Sequence, residues 1–323
     1  MKVLVTGASG MLGGAVASLL VQTGNAVRTF QRRPSGVPGA VDVAGELSDR
    51  AAVQRAVKGI DAVVHLAAKV SFTGDAADFH RVNVTGTAEL LETARRAGVQ
   101  GFVHVSSPSV AHVGRSLVGV AAEPADPEHA RGSYARTKAQ AELLALEADD
   151  GRMPVAVIRP HIVWGPGDTQ LVERVLTRAR SGRLPLLAGG TALVDTTYVD
   201  NAATAIAAAL ERLEHVHGVP LVVTNGEPRP IGELLARMCA AGGVPEPRKS
   251  VPGWLGRTAG SAVETLWRRS RADSEPPMTR FLAEQLSTAH WFDQRRTRAL
   301  LDWKPGVSLD DGFARLAQHY GGA

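Results

Sequence analysis

Cysteine is almost absent from this chain. Its 323 residues include only Cys239, so no disulfide can form within it, and this usage suits a reducing compartment such as the cytoplasm. The apolar neighbours of Cys239 predict a buried helix position. A catalytic thiol is the alternative, but no partner base lies nearby in the sequence.

Aromatic residues and long apolar runs are also scarce. Aromatics make up 5% of the residues, so stacking on nucleic-acid bases is not indicated and no nucleic-acid partner is expected. The most apolar stretch, residues 202–210, is too short to cross a bilayer. The first residues run directly into a predicted strand, which leaves no room for a secretory signal. These absences predict a cytoplasmic protein.

The rest of the composition is that of an ordinary globular protein, with 44% hydrophobic and 21% charged residues. The formal net charge is +4. The basic excess is concentrated in residues 248–304, which hold eleven Arg and Lys against six Asp and Glu. The chain is long enough for one large α/β domain with a smaller lobe, or for two modest domains.

Short β-branched runs alternate with helical patterns over the first half of the chain. The predicted strands are Lys2–Thr6, Ala26–Phe30, Ala62–Leu66, Gly101–Ser106 and Val155–Arg159. The predicted helices are Leu12–Gln22, Asp49–Lys58, Asp75–Ala97 and Ser133–Ala148. This alternation predicts an α/β fold with a doubly wound parallel sheet of the Rossmann type and helices on both of its faces.

Beyond Pro160 the pattern loosens into segments punctuated by Gly and Pro. We therefore expect residues 1–160 to form a dinucleotide-binding core and residues 161–323 to form a smaller C-terminal substrate-binding lobe. Further strands predicted at Asp195–Asp200 and Leu221–Thr224 indicate that part of this lobe returns to the main sheet.

A glycine-rich turn follows the first predicted strand, with glycines at positions 7, 10 and 13. Glycine permits a tight turn and lets backbone N–H groups approach a pyrophosphate at the positive end of the next helix. A purely structural turn is the alternative. The strand before it and the helix after it favour dinucleotide binding.

The end of the second predicted strand bears on the choice of cofactor. An acid there usually bonds the adenosine ribose of NAD, whereas a nearby arginine accommodates the extra phosphate of NADP. Here the chain reads Gln31-Arg32-Arg33, and guanidinium groups match phosphate oxygens bidentately. The sequence therefore favours NADP(H) over NAD(H), with solvated loop arginines as the alternative.

Tyr134 and Lys138 lie four residues apart on a predicted helix, so they share one face. A nearby cation is expected to lower the pKa of a phenol towards the range useful for acid–base chemistry. Ser106 and Ser107 stand at the carboxyl end of a predicted strand, where open α/β sheets hold their ligands.

Together these motifs resemble the extended short-chain dehydrogenase/reductase family, and the resemblance runs over essentially the whole chain. It is carried by TGxxGxxG at Thr6–Gly13, Gly45–Asp49 where the family often shows GDLxD, His65–Ala68, Ser107, Tyr134 with Lys138, and Arg159–Pro160. The resemblance implies that Tyr134 donates a proton during carbonyl reduction. It also implies that Lys138 holds the nicotinamide ribose and tunes Tyr134, and that Ser107 rather than Ser106 bonds the substrate oxygen.

The same resemblance implies which other residues line the cofactor. They are Gly7, Ser9, Gly10, Met11 and Leu12 at the pyrophosphate, Glu46 and Leu47 at the adenine, Ala67, Ala68 and Lys69 at the ribose with Leu66 beside them, and Pro160, His161 and Ile162 at the nicotinamide. The sequence departs from the family pattern at Glu46, which replaces an Asp, and at His161, which replaces a small residue. Asn83 matches a family asparagine that either supports a proton relay or only bonds backbone. No metal is required.

The C-terminal half is similar to the 3β-hydroxysteroid dehydrogenase branch of the family, and within it to bacterial reductases of 2-alkyl-3-oxoalkanoates. The likeness lies in residues 107–110, 162–168, 194–198 and 275–286. It implies reduction of a lipid-like ketone to a secondary alcohol. A hydroxysteroid dehydrogenase and a nucleotide-sugar epimerase or dehydratase share the fold and the triad, so they remain alternatives. A non-catalytic dinucleotide sensor would not need the triad.

Apolar residues recur at helical spacing over Val251–Arg271, beside several arginines. Packing in a core or cap is one interpretation. The other, which we favour, is a helix that covers the substrate pocket and also meets a membrane surface or a partner enzyme. A homodimer is a further hypothesis.

Overall fold

The structure is a computed structural model that describes residues 1–71, 74–111, 116–255 and 280–321. Its strands are β1 (Lys2–Thr6), β2 (Ala26–Gln31), β3 (Val41–Ala44), β4 (Ala62–His65), β5 (Gly101–Val105), β6 (Leu117–Val120), β7 (Val155–Pro160), β8 (Val163–Trp164), β9 (Leu186–Leu187), β10 (Leu193–Val194), β11 (Thr197–Tyr198), β12 (Pro220–Val223), β13 (Arg229–Pro230), β14 (Ser250–Val251) and β15 (His290–Phe292).

The helices of the described residues are α1 (Met11–Gln22), α2 (Arg50–Val57), α3 (Ala76–Phe79), α4 (Gly86–Arg96), α5 (Gly132–Glu147), α6 (Val172–Arg180), α7 (Val199–Glu211), α8 (Leu213–Val216), α9 (Ile231–Ala241), α10 (Arg280–Ser287), α11 (Arg295–Leu301) and α12 (Leu309–Gly321). A π-helical turn, His80–Thr85, joins α3 to α4. Short 3-10 helices occupy Pro108–Ala111 and Ala188–Gly190.

Seven parallel strands form the central sheet in the order β12-β7-β5-β4-β1-β2-β3. Apolar side chains of α1 and α7, such as Val16 and Ile206, pack on one face of this sheet. Residues of α2, α4 and α5, such as Val53 and Leu90, pack on the other. The predicted doubly wound Rossmann sheet is therefore confirmed.

The strand boundaries agree with the sequence analysis in the first half of the chain, where all five predicted strands end within one residue of the observed ones. The strand predicted at Asp195–Asp200 is wrong. Only Thr197–Tyr198 is extended in a ladder, and α7 begins at Val199 because its apolar residues pack against α1. Residues Pro220–Val223 form β12, which pairs with β7 at the edge of the central sheet.

A second sheet has four strands in the order β13-β10-β15-β6, of which β6 comes from the first half of the chain and the other three from the second half. Trp164 stacks on Phe313 with ring centroids 4.5 Å apart in a separate apolar cluster. Of the apolar stripe predicted over Val251–Arg271, residues from 256 onwards lie outside the described residues. In the described ranges, no helix is long and apolar enough to cross a membrane.

Candidate active site

The residues implied as site residues gather at one edge of the central sheet. Because parallel strands end at the same edge, loops that follow neighbouring strands lie side by side, and the crevice falls where the strand order reverses, between β1 and β4. The glycine turn follows β1, Arg32 and Arg33 follow β2, Leu66–Lys69 follow β4, Ser107 follows β5, and His161 and Ile162 follow β7.

The backbone of the glycine turn packs closely against itself and against the loop after β4, as a dinucleotide-binding turn requires. Gly7 has φ +77°, and a Cβ there would lie 2.9 Å from backbone atoms of Ala67. A Cβ at Gly13 would lie 2.3 Å from the Gly7 carbonyl oxygen. Around Gly10, adjacent chain atoms aside, the only atom of the described residues within 4 Å of such a Cβ is that same carbonyl oxygen, at 3.5 Å. The turn thus leaves room at Gly10, directly before the first residue of α1.

A buried chain of hydrogen bonds holds the loop after β4 against this turn. Thr6 Oγ1 accepts from the backbone N–H groups of Leu66 and Ala67, at 3.1 and 3.0 Å, so its own hydrogen is left for His65 Nδ1 at 2.8 Å. His65 Nε2 then donates to Thr87 Oγ1 at 2.9 Å. Burial, and secondarily the Lys138 charge, lowers the pKa of His65 to about 3, so the ring is neutral.

Asn83, in the π-helical turn, connects this loop to α5. The backbone N–H of Lys69 donates to Asn83 Oδ1 at 2.7 Å. Asn83 Nδ2 donates to the Lys69 carbonyl at 3.2 Å and to Thr137 Oγ1 at 3.1 Å. The sequence left two roles open for Asn83, support of a proton relay or bonds to backbone alone. The structure shows the backbone bonds and, in addition, a side-chain bond to α5.

Tyr134 and Ser107 meet at the start of α5. The Ser107 hydroxyl lies beside the Tyr134 phenol and acts to lower its pKa, and Ser107 Oγ lies 2.9 Å from Ser109 Oγ. Ser106 Oγ is buried and has no hydrogen-bond partner among the described residues. The structure therefore brings Ser107, rather than Ser106, to the phenol.

The direction of the Tyr134 pKa differs from the sequence-based expectation. Burial raises the pKa of the phenol, and the Ser107 hydrogen bond opposes this only in part. The expected lowering by Lys138 is wrong for this arrangement, because the Lys138 ammonium is directed to the Val105 carbonyl, to which it donates at 2.6 Å.

Lys138 is itself almost fully buried, and a buried ion pair lies one helical turn beyond it. Burial lowers the pKa of the Lys138 ammonium to about 8, against the opposing effect of Glu142. Glu142 accepts from Arg159 Nε at 2.9 Å, and Arg159 Nη1 donates to the Glu123 carbonyl at 2.6 Å. The sequence analysis identified Arg159 only as part of a motif and missed its partner, Glu142.

Arg32 and Arg33 are exposed, and neither forms an ion pair within the described part of the chain. Gln31 is buried and donates to Asp42 Oδ1 at 3.1 Å. Asp42, on β3, also accepts from the Ser35 backbone N–H at 3.1 Å. The sequence analysis missed this acid because β3 was not predicted. The Asp42 carboxylate therefore accepts hydrogen bonds from the loop that carries the two arginines.

The two groups of residues that the sequence analysis assigned to the adenine and the nicotinamide differ in burial. Glu46 is exposed, whereas Leu47 is buried so tightly that a Cβ at Gly86 would lie 2.7 Å from its own. His161, at the other end, is buried; its Nδ1 bonds the Asp195 carbonyl at 2.5 Å, and its ring packs edge-to-face on Phe292 with centroids 5.0 Å apart. The larger side chain at 161 is thus accommodated by the second sheet.

Comparisons with known proteins agree with this geometry. The model of the NAD dependent epimerase/dehydratase family matches residues 3–223. A 2-alkyl-3-oxoalkanoate reductase of Stenotrophomonas maltophilia is 40% identical, over 98% of either chain. A sterol-4-alpha-carboxylate 3-dehydrogenase (decarboxylating) of Mus musculus is 28% identical, over 99% of this chain and 91% of its own. The solved structure of MoeE5 in complex with UDP-glucose and NAD is 23% identical, with a TM-score of 0.75 over 99% and 98% of the two chains.

The chain therefore belongs to the NAD dependent epimerase/dehydratase family, the extended short-chain dehydrogenases and reductases. It is an NAD(P)-dependent oxidoreductase that acts on CH–OH or C=O groups.

Proposed function

We propose that the protein uses NADPH to reduce the 3-oxo group of a 2-alkyl-3-oxoalkanoate to a secondary alcohol. The observation that carries the proposal is the placement of Ser107 beside the Tyr134 phenol, with Lys138 four residues further along α5, in a chain that is 40% identical over 98% of its length to a reductase of that name. Support for a lipid-like substrate comes from the same likeness.

In the proposed reaction Tyr134 is the general acid. A bound reduced nicotinamide supplies the hydride. Ser107 holds the carbonyl oxygen, and Tyr134 gives that oxygen its proton as negative charge develops there. The raised pKa of Tyr134 keeps the phenol protonated at neutral pH, which is the form that donates. Lys138, one helical turn away, supplies positive charge and a donor for a ribose hydroxyl.

The cofactor would be held by the residues at the crevice edge. Gly7, Ser9, Gly10, Met11 and Leu12 offer the turn and the positive end of α1 to a pyrophosphate. Glu46 and Leu47 would meet the adenine, Leu66, Ala67, Ala68 and Lys69 the ribose, and Pro160, His161 and Ile162 the nicotinamide. Support for NADP(H) comes from the exposed Arg32 and Arg33, whose guanidinium groups have no carboxylate partner in the described ranges.

The names of two relatives narrow the substrate class further. In a 2-alkyl-3-oxoalkanoate the carboxyl carbon is attached to the carbon next to the reacting one. The name of the sterol-4-alpha-carboxylate 3-dehydrogenase describes the same relation, between positions 4 and 3. We therefore propose a β-oxo acid as the substrate. A 3-oxosteroid is the second candidate, favoured by the hydroxysteroid dehydrogenases that are 29–30% identical.

The substitution Tyr134→Phe tests the proposed chemistry, because it removes the proton donor and keeps the ring. We expect kcat for reduction of a 2-alkyl-3-oxoalkanoate to fall by about 10² to 10⁴, the usual loss for a general acid. Binding of NADPH, measured by fluorescence titration, should be unchanged. Tyr320→Phe, on α12, is the matched control and should leave kcat as it is. Turnover by Tyr134→Phe at the level of this control would contradict the assignment.

A further inference from the structure

Arg131 lies immediately before α5, three residues before Tyr134. Its Nη1 donates to Glu284 Oε1 on α10, 153 residues away in the chain. The Glu284 side chain is 4% exposed, whereas that of Arg131 is 33% exposed. The guanidinium is therefore anchored at one nitrogen to a buried carboxylate while part of it still faces open space.

Hydrogen bonds connect the segments around Arg131 to elements on both sides of the candidate site. The loop that leads to Arg131 is fixed to the segment after Ser107, because the Asp126 N–H donates to the Val110 carbonyl at 2.9 Å. On the other side, the Glu284 carbonyl accepts from Thr288 Oγ1 at 2.6 Å, and Thr288 bonds His290 Nε2 at 3.1 Å.

His290 in turn lies near His161, which we assign to the nicotinamide end of the crevice. The centroids of the two imidazole rings are 6.1 Å apart. Hydrogen bonds and a ring contact therefore connect the segments around Arg131 to the elements that carry Ser107 and His161, and Arg131 itself directly precedes the helix that carries Tyr134.

The donors of Arg131 are only partly used. Among the described residues its Nη1 meets Glu284, while Nε and Nη2 have no partner. A planar guanidinium with two free donor nitrogens matches the two oxygens of a carboxylate. The other nearby cations are committed: Lys69 pairs with Asp78 at 3.1 Å, and Lys138 is buried against Val105.

We propose that Arg131 binds the carboxylate of the substrate and so makes the enzyme selective for β-oxo acids over neutral ketones and esters. This inference rests on the proposed function. A carboxyl carbon two bonds from the carbonyl carbon needs a cation close to the proton donor, and Arg131, three residues before Tyr134, is a partly exposed cation with unused donors. Glu284 holds the guanidinium in place and competes with the incoming anion for it.

The test compares a 2-alkyl-3-hydroxyalkanoate with its methyl ester in the oxidation direction, because the hydroxy acid does not lose CO2 as a β-oxo acid does. Arg131→Met should lower kcat/KM for the acid by about 10- to 150-fold, the loss of a charge-assisted contact. For the ester, kcat/KM should change by less than about twofold. Arg136→Met, at an exposed position of the same helix, is the matched control and should change neither value.

Glu284→Gln separates substrate binding from a structural role. If Arg131 only braces the fold, Glu284→Gln and Arg131→Met should both lower kcat/KM for acid and ester alike, which would overturn the proposal. If Arg131 binds the carboxylate, Glu284→Gln should not raise the KM for the acid. It should leave this KM unchanged or decrease it, because Glu284 no longer competes with the substrate carboxylate for the guanidinium. If instead the unmodified enzyme oxidises both compounds and Arg131→Met keeps the full preference for the acid, Arg131 does not bind the substrate carboxylate, and the proposed function stands. Oxidation of neither compound would overturn both.

Discussion

Burial acts in opposite directions on the two titratable groups of the candidate triad. It raises the pKa of the Tyr134 phenol and lowers the pKa of the Lys138 ammonium to about 8. Both shifts favour the uncharged form, as desolvation requires. Tyr134 therefore stays protonated across the neutral range, whereas Lys138 is the group that changes charge near physiological pH.

A pH profile of kcat/KM tests this difference, because kcat/KM reports groups of the free enzyme. Below pH 8 Lys138 carries its charge, so activity should be constant there and should fall as the pH rises through about 8. Arg stays charged above pH 12, so in Lys138→Arg, whatever its absolute rate, the fall should move to higher pH. An unchanged midpoint in Lys138→Arg would show that another group titrates.

Residue patterns predicted the hydroxyl, phenol and amine of the triad because two local rules apply: ligands meet strand ends, and residues four apart share a helix face. They did not predict the long-range hydrogen bonds between other side chains around these groups. The bond from Thr6 to His65 spans 59 residues, and the bond from Arg131 to Glu284 spans 153. Such pairs depend on which elements pack together, which no local pattern contains.

At the scale of elements, the loop after β2 owes its conformation to the neighbouring strand. Asp42 on β3 accepts hydrogen bonds from Ser35, Thr29 and Gln31, and these hydrogen bonds lower the pKa of its carboxyl group. The carboxylate is thereby engaged within the loop. The charged side chains that the loop presents to solvent are those of Arg32 and Arg33.

The cofactor preference follows from this arrangement. If Arg32 meets the extra phosphate, NADPH should bind more tightly than NADH by roughly 1.5 to 3 kcal/mol. Arg32→Ala should remove most of this difference, by weakening NADPH and leaving NADH as it was, in calorimetric titrations. Arg55→Ala, an exposed arginine on α2, provides the control. Equal affinity of the unmodified enzyme for the two cofactors would refute the preference for NADP(H).

Periodicity predicted the helices of the first half of the chain and most of the central strands, but it failed at two elements. The helix predicted over Asp75–Ala97 contains a π-helical turn at His80–Thr85, and Asn83 lies within it. A regular period of 3.6 residues cannot reveal such a turn. The β-branched run around Thr196 predicted a long strand, yet α7 starts at Val199, because packing against α1 outweighs local propensity.

At the scale of the whole molecule, the chain passes between the two sheets more than once. The strand β6 leaves the first half of the chain to pair with β15, and β12 comes from the second half to pair with β7. The second sheet also meets the candidate site, because the His161 ring packs on Phe292 of β15. The central sheet was predictable from its regular βαβ order, whereas β3 and β6 are short strands whose pairing depends on tertiary contacts.

The central claim is that the enzyme reduces a β-oxo acid with NADPH. The most direct measurement follows NADPH oxidation at 340 nm with a freshly hydrolysed 2-alkyl-3-oxoalkanoate, a 3-oxosteroid and UDP-glucose supplied separately to the unmodified enzyme. We predict turnover of the oxo acid with kcat/KM of at least about 10⁴ M⁻¹ s⁻¹, within the usual range for enzymes on their own substrates, and far lower values for the other two. Turnover of the steroid alone, or none of the oxo acid, would contradict the claim.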